Sequence, residues 1–298
     1  MRGLSDVSAV AALPRCVAAT FVLLCAGLLA GCESGNVEQA AQNERLAARL
    51  APPPAEAVDV NRDPPVPPAP TARGAVRLEP AGQFRHGERL GSSATEIAAY
   101  DVESRRLFSA NVEKARIDIL DLTKADDLQF VGACDVSDLG TPTSVAAKGG
   151  LIAASVMAKS PRDPGHVVFL DVDGKRLQTL VVGHCPDSLT FTPDGRRLLV
   201  ANEGEPEPDY SFDPEGSLSL IDVTVPVAEL TAAQVTTLDF LQFNDRRSEL
   251  DPSIRIAGPK ASVAQDLEPE YIAVSPDSKT AWVTCQENNC IAVVDLTM

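Results

Sequence analysis

The sequence predicts an all-β protein, a β-propeller built of four-stranded blades, with about four blades present in an incomplete ring. Three observations carry that prediction: a strand, turn, strand, loop, strand unit found in four copies, an aspartate at the end of the third strand of each copy, and a change of composition near residue 75 where the copies begin.

The clearest copy runs from Ser188 to Asn202 and resumes at Ser217 to Asp222. Apolar and polar residues alternate on both sides of Asp194-Gly195, and an Asp-Gly pair between alternating runs is a strong short-range hairpin signal. The unit recurs at Tyr271 to Ser278, Thr280 to Thr284 and Ile291 to Leu296. Two degenerate copies lie at Glu96 to Tyr100 with Leu107 to Asn111 and Ile117 to Leu122, and at Ser144 to Ala147 with Leu151 to Val156 and Val167 to Val172. The closing aspartates Asp121, Asp171, Asp222 and Asp295 are 50, 51 and 73 residues apart, the last spacing enlarged by an insertion over about 228–267. Repeats of about 40–50 residues that each supply four strands indicate propeller blades. The fourth copy stops after its third strand. Either Ala75 to Arg85 supplies its outer strand, or the ring stays open with an unpaired sheet edge.

Ahead of the repeats lie two other segments. Residues 1–31 carry Arg2 and Arg15, an apolar run from Cys16 to Ala30 and small residues before Cys32, the layout of a signal peptide. The run falls short of the roughly 20 residues a membrane span requires. Leu29-Ala30-Gly31-Cys32 resembles a bacterial lipobox, which implies cleavage before Cys32 and lipid on its thiol. Two or three acyl chains anchor stably where one does so marginally. Glu33, where an inner-membrane retention signal would carry Asp, favours the outer membrane, on its periplasmic or surface face. Residues 32–74 are rich in Ala and Pro, with Pro52-Pro53-Pro54 and Pro64-Pro65-Val66-Pro67-Pro68. Such a segment buries too little apolar surface to order itself, and its prolines favour an extended tether. The propeller domain is then 75–298.

Formal charge is −16, and −17 once residues 1–31 with Arg2, Asp6 and Arg15 are removed. That balance argues against nucleic acid as a partner and leaves a protein or small-molecule ligand, with the membrane engaged through Cys32. Export makes disulfides available, and Cys134, Cys185, Cys285 and Cys290 follow the lipidation site. Cys285 and Cys290 flank four residues of a hairpin turn, and Cys134 and Cys185 stand one repeat apart, each just before an inner strand. Both bridges are expected.

Functional groups in a propeller gather on the face formed by the turns after second strands and the links between blades. Here those loops hold Glu203, Glu205, Glu207, Asp209, Asp213 and Glu215 in the third copy, Glu268, Glu270, Gln286 and Glu287 in the fourth, and Asp187 and Glu96 before inner strands. Convergent carboxylates between Gly and Pro suit Ca²⁺, which takes about six to eight oxygens. The expected ligands are Glu203, Glu205, Asp213 and Glu270; the plainer alternative is a solvated acidic loop. Only His86, His166 and His184 are present, with no H-E-x-x-H pair and no G-x-S-x-G turn, so a zinc protease or serine hydrolase is not expected. Asp173-Gly174 and Asp194-Gly195 read as turns, and Trp282, inside a strand, as blade packing.

The copies resemble YVTN-type repeats. The longer strings Ala201-Asn202-Glu203-Gly204-Glu205-Pro206, Asp213-Pro214-Glu215-Gly216-Ser217, Ser262 to Ile272 and Gln286-Glu287-Asn288-Asn289 resemble the choice-of-anchor I family of secreted or surface-anchored bacterial proteins. That resemblance implies a propeller with a varied anchoring device, of which lipid on Cys32 would be one. It also implies further blades, so that this chain is a truncated or fragmentary member. The expected function is a binding or scaffold module working through the acidic face. The alternative is a calcium-dependent phosphoester hydrolase of phytase or alkaline-phosphatase type, with Glu270 as general base.

Overall fold

The structure is a computed structural model and describes residues 7–12, 80–85 and 94–297. Cys32, the apolar run of the leader and the tether lie outside the described residues. So does the side chain of Glu96.

The described strands form four antiparallel four-stranded sheets, the blades of a β-propeller. Blade one is β2 (Thr95–Asp101), β3 (Arg106–Asn111), β4 (Arg116–Asp121) and β5 (Gln129–Asp135); blade two is β6 (Gly140–Lys148), β7 (Leu151–Ala158), β8 (His166–Leu170) and β9 (Arg176–Val181). Blade three is β10 (Pro186–Phe191), β11 (Arg197–Asn202), β12 (Ser217–Asp222) and β13 (Val235–Asp239). Blade four takes β14 (Ile272–Val274), β15 (Thr280–Cys285) and β16 (Cys290–Asp295), with β1 (Val7–Ala12) as its outer strand.

Local chemistry fixes the turns. Gly195 takes φ +71°, the Asp194 carboxylate accepts from the Thr192 hydroxyl at 2.6 Å and the Arg196 amide at 3.1 Å, and the Gly195 amide reaches the Thr192 carbonyl at 2.8 Å. In blade four, Asp277 accepts from the Ser275 hydroxyl at 2.7 Å, and Ser278 adopts φ +60° in the glycine's place. The closing aspartates have a structural reason as well. Asp222 accepts from the amide and hydroxyl of Thr224 at 2.9 and 2.6 Å, and Asp295 from those of Thr297 at 2.8 and 2.7 Å. Asp121 does the same with Thr123. These bonds hold all three carboxyls below the usual carboxylate range. In blades one and three an Asp-x-Thr sequence thus turns the chain from the third strand to the fourth by bonding its own backbone, and the same turn follows the third strand of blade four.

Cores lie between blades. Phe108 and Ile119 of blade one meet Val168 and Leu170 of blade two. Ala153 and Phe169 of blade two meet Leu198, Val200 and Ile221 of blade three. Leu199 and Leu218 of blade three meet Val283 and Val294 of blade four, with Phe240, Phe243 and Leu267 of the insertion packed alongside. Interior blades are apolar on both faces because both are covered. Each such side chain contributes about 1.5–3 kcal/mol of transfer free energy.

Four expectations change. The outer strand of blade four is Val7–Ala12, not Ala75 to Arg85, and residues 80–85 form no strand. That strand lies within the segment assigned to the leader, so cleavage before Cys32 would remove it and leave β16 at an edge. The outer strand of blade three, β13, lies inside the supposed insertion. The third strand of blade two ends at Leu170, one residue before Asp171, which caps the amides of Asp173 and Lys175 instead. Finally, Trp282 is not covered by a neighbouring blade. It is 42% exposed, and its cross-strand partner is Val293. The corresponding residue of blade three, Leu199, stands opposite Leu220 and is 1% exposed because blade four covers it.

Candidate functional site

The acidic face forms where blades three and four meet. The chain leaves β11 at Asn202, whose buried amide nitrogen donates to the hydroxyls of Ser217 and Ser219 at 3.2 and 2.9 Å, tying the start of the loop to its return. Gly204, at φ +70°, lies so close to Gly216 that a Cβ on it would meet the Gly216 nitrogen at 2.8 Å. A Cβ on Gly216 would come within 1.9 Å of the Leu267 carbonyl oxygen, and the Gly216 amide donates to Ala264 at 3.0 Å. The glycines therefore let the loop close on itself and on the segment leading to blade four. The Glu203 amide, donating to the Cys185 carbonyl at 2.9 Å, fixes Glu203 beside the entry to β10.

Blade four supplies the other side. The Glu270 amide donates to the Thr284 carbonyl at 2.8 Å, which sets Glu270 at the threshold of β14. Glu287 belongs to the β15–β16 turn. Its neighbour Asn288 is 2% exposed, donates to the carbonyls of Arg255, at 3.0 Å, and Asp266, and accepts from the Glu268 amide at 3.0 Å. Carboxylate oxygens of Glu203, Glu270 and Glu287 thereby lie within 4.8 Å of one another.

The electrostatics follow from that crowding. Burial, and then the charges of Asp187, Glu205, Glu268 and Glu287, push Glu203 up to about 8. Burial, then the hydrogen bond and charge of Glu287, then the charges of Glu203 and Asp187, push Glu270 up to about 8. Burial and the charges of Glu287, Asp266, Glu205 and Asp213 raise Glu268 to about 7. The dominant influences on all three groups are burial and other carboxylates, with no cation among them.

Of the four expected ligands, Glu203 and Glu270 come together. Glu205 is exposed and acts on the group by its charge. Asp213 stands apart: it lines a separate cleft of about 420 Å³ with His184, Phe212 and Gln265, and burial and the charge of Asp266 raise its carboxyl. Glu207 and Asp209 belong to a surface cluster in which Glu207 pairs with Arg162 at 2.6 Å and Asp209 accepts from the Ser211 amide at 2.9 Å. Glu287 completes the triad in their place. Its position in the turn equivalent to that of Glu203 was the available signal.

Among the described residues, Cys134, Cys185, Cys285 and Cys290 are buried thiols. Cys134 lies in the outer strand β5, against Arg176, rather than just before an inner strand, and Cys185 sits beside Glu203 and Glu205, so the two have unrelated surroundings. Cys285 and Cys290 are directly opposed. Among the described residues, no helix is long and apolar enough to cross a membrane.

No curated protein matches the chain by sequence. Solved structures similar to it include hydrazine synthase of Kuenenia stuttgartiensis (13% identity, TM-score 0.36, covering 68% of this chain and 64% of that one). A Lactobacillus plantarum protein gives 15% identity and a TM-score of 0.46 over 68% of this chain and 54% of that one. A functionally unknown protein of Desulfotomaculum acetoxidans gives 18% and 0.39 over 66% and 50%. The chain thus spans half to two-thirds of those structures, and at these similarities they carry no inference about its chemistry. The choice-of-anchor I domain profile matches residues 96–298, from the first inner strand to the last residue. By that match over most of its length, the chain belongs to the choice-of-anchor I family.

Proposed function

We propose that the chain is a lipid-anchored, extracytoplasmic propeller serving as a binding or scaffold module, whose acidic face holds a calcium ion through Glu203, Glu270 and Glu287. The carrying observation is the approach of three carboxylates from two blades to within 4.8 Å, with other carboxylates and no cation among the dominant neighbours of Glu203 and Glu270. Oxygens bound to one Ca²⁺ at about 2.4 Å lie at most about 4.8 Å apart, so one ion can reach all three. Backbone carbonyls and water would complete its shell. Bound there, the ion would join blade three to blade four and present an open positive centre in an acidic surround, suited to an anionic group of a protein or small ligand. The anchor rests on the lipobox-like residues before Cys32. It would hold the module at the outer membrane, and the Pro-rich segment would lift it clear.

The test is a calcium titration followed by equilibrium dialysis. Binding that weakens more than about tenfold in Glu203→Gln and in Glu270→Gln, and is unchanged in Asp213→Asn, supports the site. Absence of binding in the unaltered chain overturns it.

A second reading, a calcium-dependent phosphoester hydrolase, is favoured by one observation: Glu270 titrates near 8 beside Glu287, the kind of tuned carboxyl that transfers protons near neutrality. Calcium-dependent hydrolysis of a phosphomonoester, lost in Glu270→Gln, would establish it. Calcium binding without turnover leaves the binding module.

A further inference from the structure

Cys285 ends β15 and Cys290 begins β16, and the two are Cα partners in the ladder. Directly opposed residues of an antiparallel pair have Cα atoms about 4.5–5.5 Å apart, inside the range of about 4.4–6.8 Å that a disulfide spans. Both residues are 0% exposed. The four residues between them are Gln286, Glu287, Asn288 and Asn289. The turn they close therefore carries the third carboxylate of the acidic group and the asparagine that ties it to the insertion. The Glu270 amide donates to the carbonyl of Thr284, the residue before Cys285, at 2.8 Å, so the pair adjoins the site.

We propose that Cys285 and Cys290 are a disulfide-forming site, and that the bond fixes the turn so that Glu287 is held against Glu203 and Glu270. The first half stands on the strand register; the second rests on the calcium reading above. Cys134 and Cys185 take no part, since among the described residues neither faces another cysteine.

The reaction is thiol–disulfide exchange with a disulfide donor, either a small molecule such as oxidised glutathione or a protein of the same chemical class. One cysteine thiolate attacks a donor sulfur and expels a donor thiolate, leaving a mixed disulfide. The second cysteine thiolate then attacks the protein sulfur of that mixed disulfide and expels the other donor thiolate. Two electrons and two protons pass from the cysteines to the donor, which leaves as two thiols. Because both cysteines are buried and closed off from a donor, exchange in the closed blade is slow. The bond forms while the hairpin is still open to solvent, during folding.

The experiment refolds the full chain in a mixture of oxidised and reduced glutathione, alkylates it and maps the peptides. The expected result is Cys285 linked to Cys290, with Cys134 and Cys185 alkylated. Alkylation of both Cys285 and Cys290 overturns the proposal. The linked form should melt about 5 °C above the same chain reduced with dithiothreitol, since the closed loop is short. The reduced chain serves as the undisturbed comparator, and Cys285→Ala with Cys290→Ala should match it. For the second half, the linked form should bind calcium on the order of fivefold more tightly than the reduced form, the benefit of a pre-ordered ligand. A formed bond with equal affinity in both forms removes the coupling to Glu287. Absence of calcium binding in both forms refutes the calcium reading and the coupling with it, while the peptide map alone decides the bond.

Discussion

Glu203, just past the second strand of blade three, and Glu270, just before the inner strand of blade four, bring their carboxylate oxygens within 4.8 Å across the boundary between the blades. Two residues 67 positions apart in the chain thus share one electrostatic fate. What happens to their charge decides how firmly the two blades hold together.

The first consequence is a pH dependence of stability. Glu203 and Glu270 titrate near 8 and Glu268 near 7 in the folded chain, against an ordinary value of 4.5. Over that window the folded state binds more protons than the unfolded state, so stability falls as pH rises. The penalty is absent below about pH 4.5 and complete above about pH 8. In the absence of metal, the melting temperature should fall by about 5 °C between pH 6 and pH 8.5. Glu203→Gln should flatten that slope. A melting temperature that rises across the window contradicts the crowding.

The loop geometry makes a separate demand. Gly216→Ala places a methyl 1.9 Å from the Leu267 carbonyl, and Gly204→Ala forces a side chain onto φ +70° against Gly216. Each should destabilise the domain by about 1–3 kcal/mol, read in urea unfolding. Gly132→Ala, where nothing lies within 4 Å of the added carbon, should stay within about 0.5 kcal/mol.

Blade position, rather than residue type, should decide the value of an apolar side chain. Leu199 is covered by blade four and Trp282, its counterpart, is 42% exposed. Leu199→Ala should cost about 2–5 kcal/mol. Trp282→Thr should cost less than about 1 kcal/mol. Trp282 is the sole tryptophan, so its fluorescence should be red-shifted and accessible to iodide in the folded chain. Emission shielded from iodide would mean that the face is covered.

These relationships also show which parts of the molecule could be read from sequence. The inner three strands of each blade announce themselves: Asp194-Gly195 closes a hairpin of alternating residues, and Asp121, Asp222 and Asp295 each precede a threonine two positions on. Both signals are local, since a turn is stabilised by its own backbone bonds. The outer strands carry no such mark. β13 lies among 3-10 turns after a long loop, and the partner of β16 comes from Val7–Ala12, nearly 280 residues away. A strand bonded on one side and half exposed, such as β5, has little apolar pattern to betray it. The acidic face was legible as a face but not as a triad. Which carboxylates meet depends on the register of β15 with β16 and on the close approach of Gly204 to Gly216. Those relations brought in Glu287 and left Glu205 and Asp213 aside.

The central claim is that the carboxylates of blades three and four form a cation site that is partly protonated near neutrality. Calcium binding should therefore displace protons. Calorimetric titration at pH 7 in two buffers of different ionisation enthalpy measures that displacement directly. The account predicts binding with between about one and two protons released per calcium, and no binding in Glu203→Gln with Glu270→Gln. The same heat in both buffers, or binding that survives the double substitution, would contradict it.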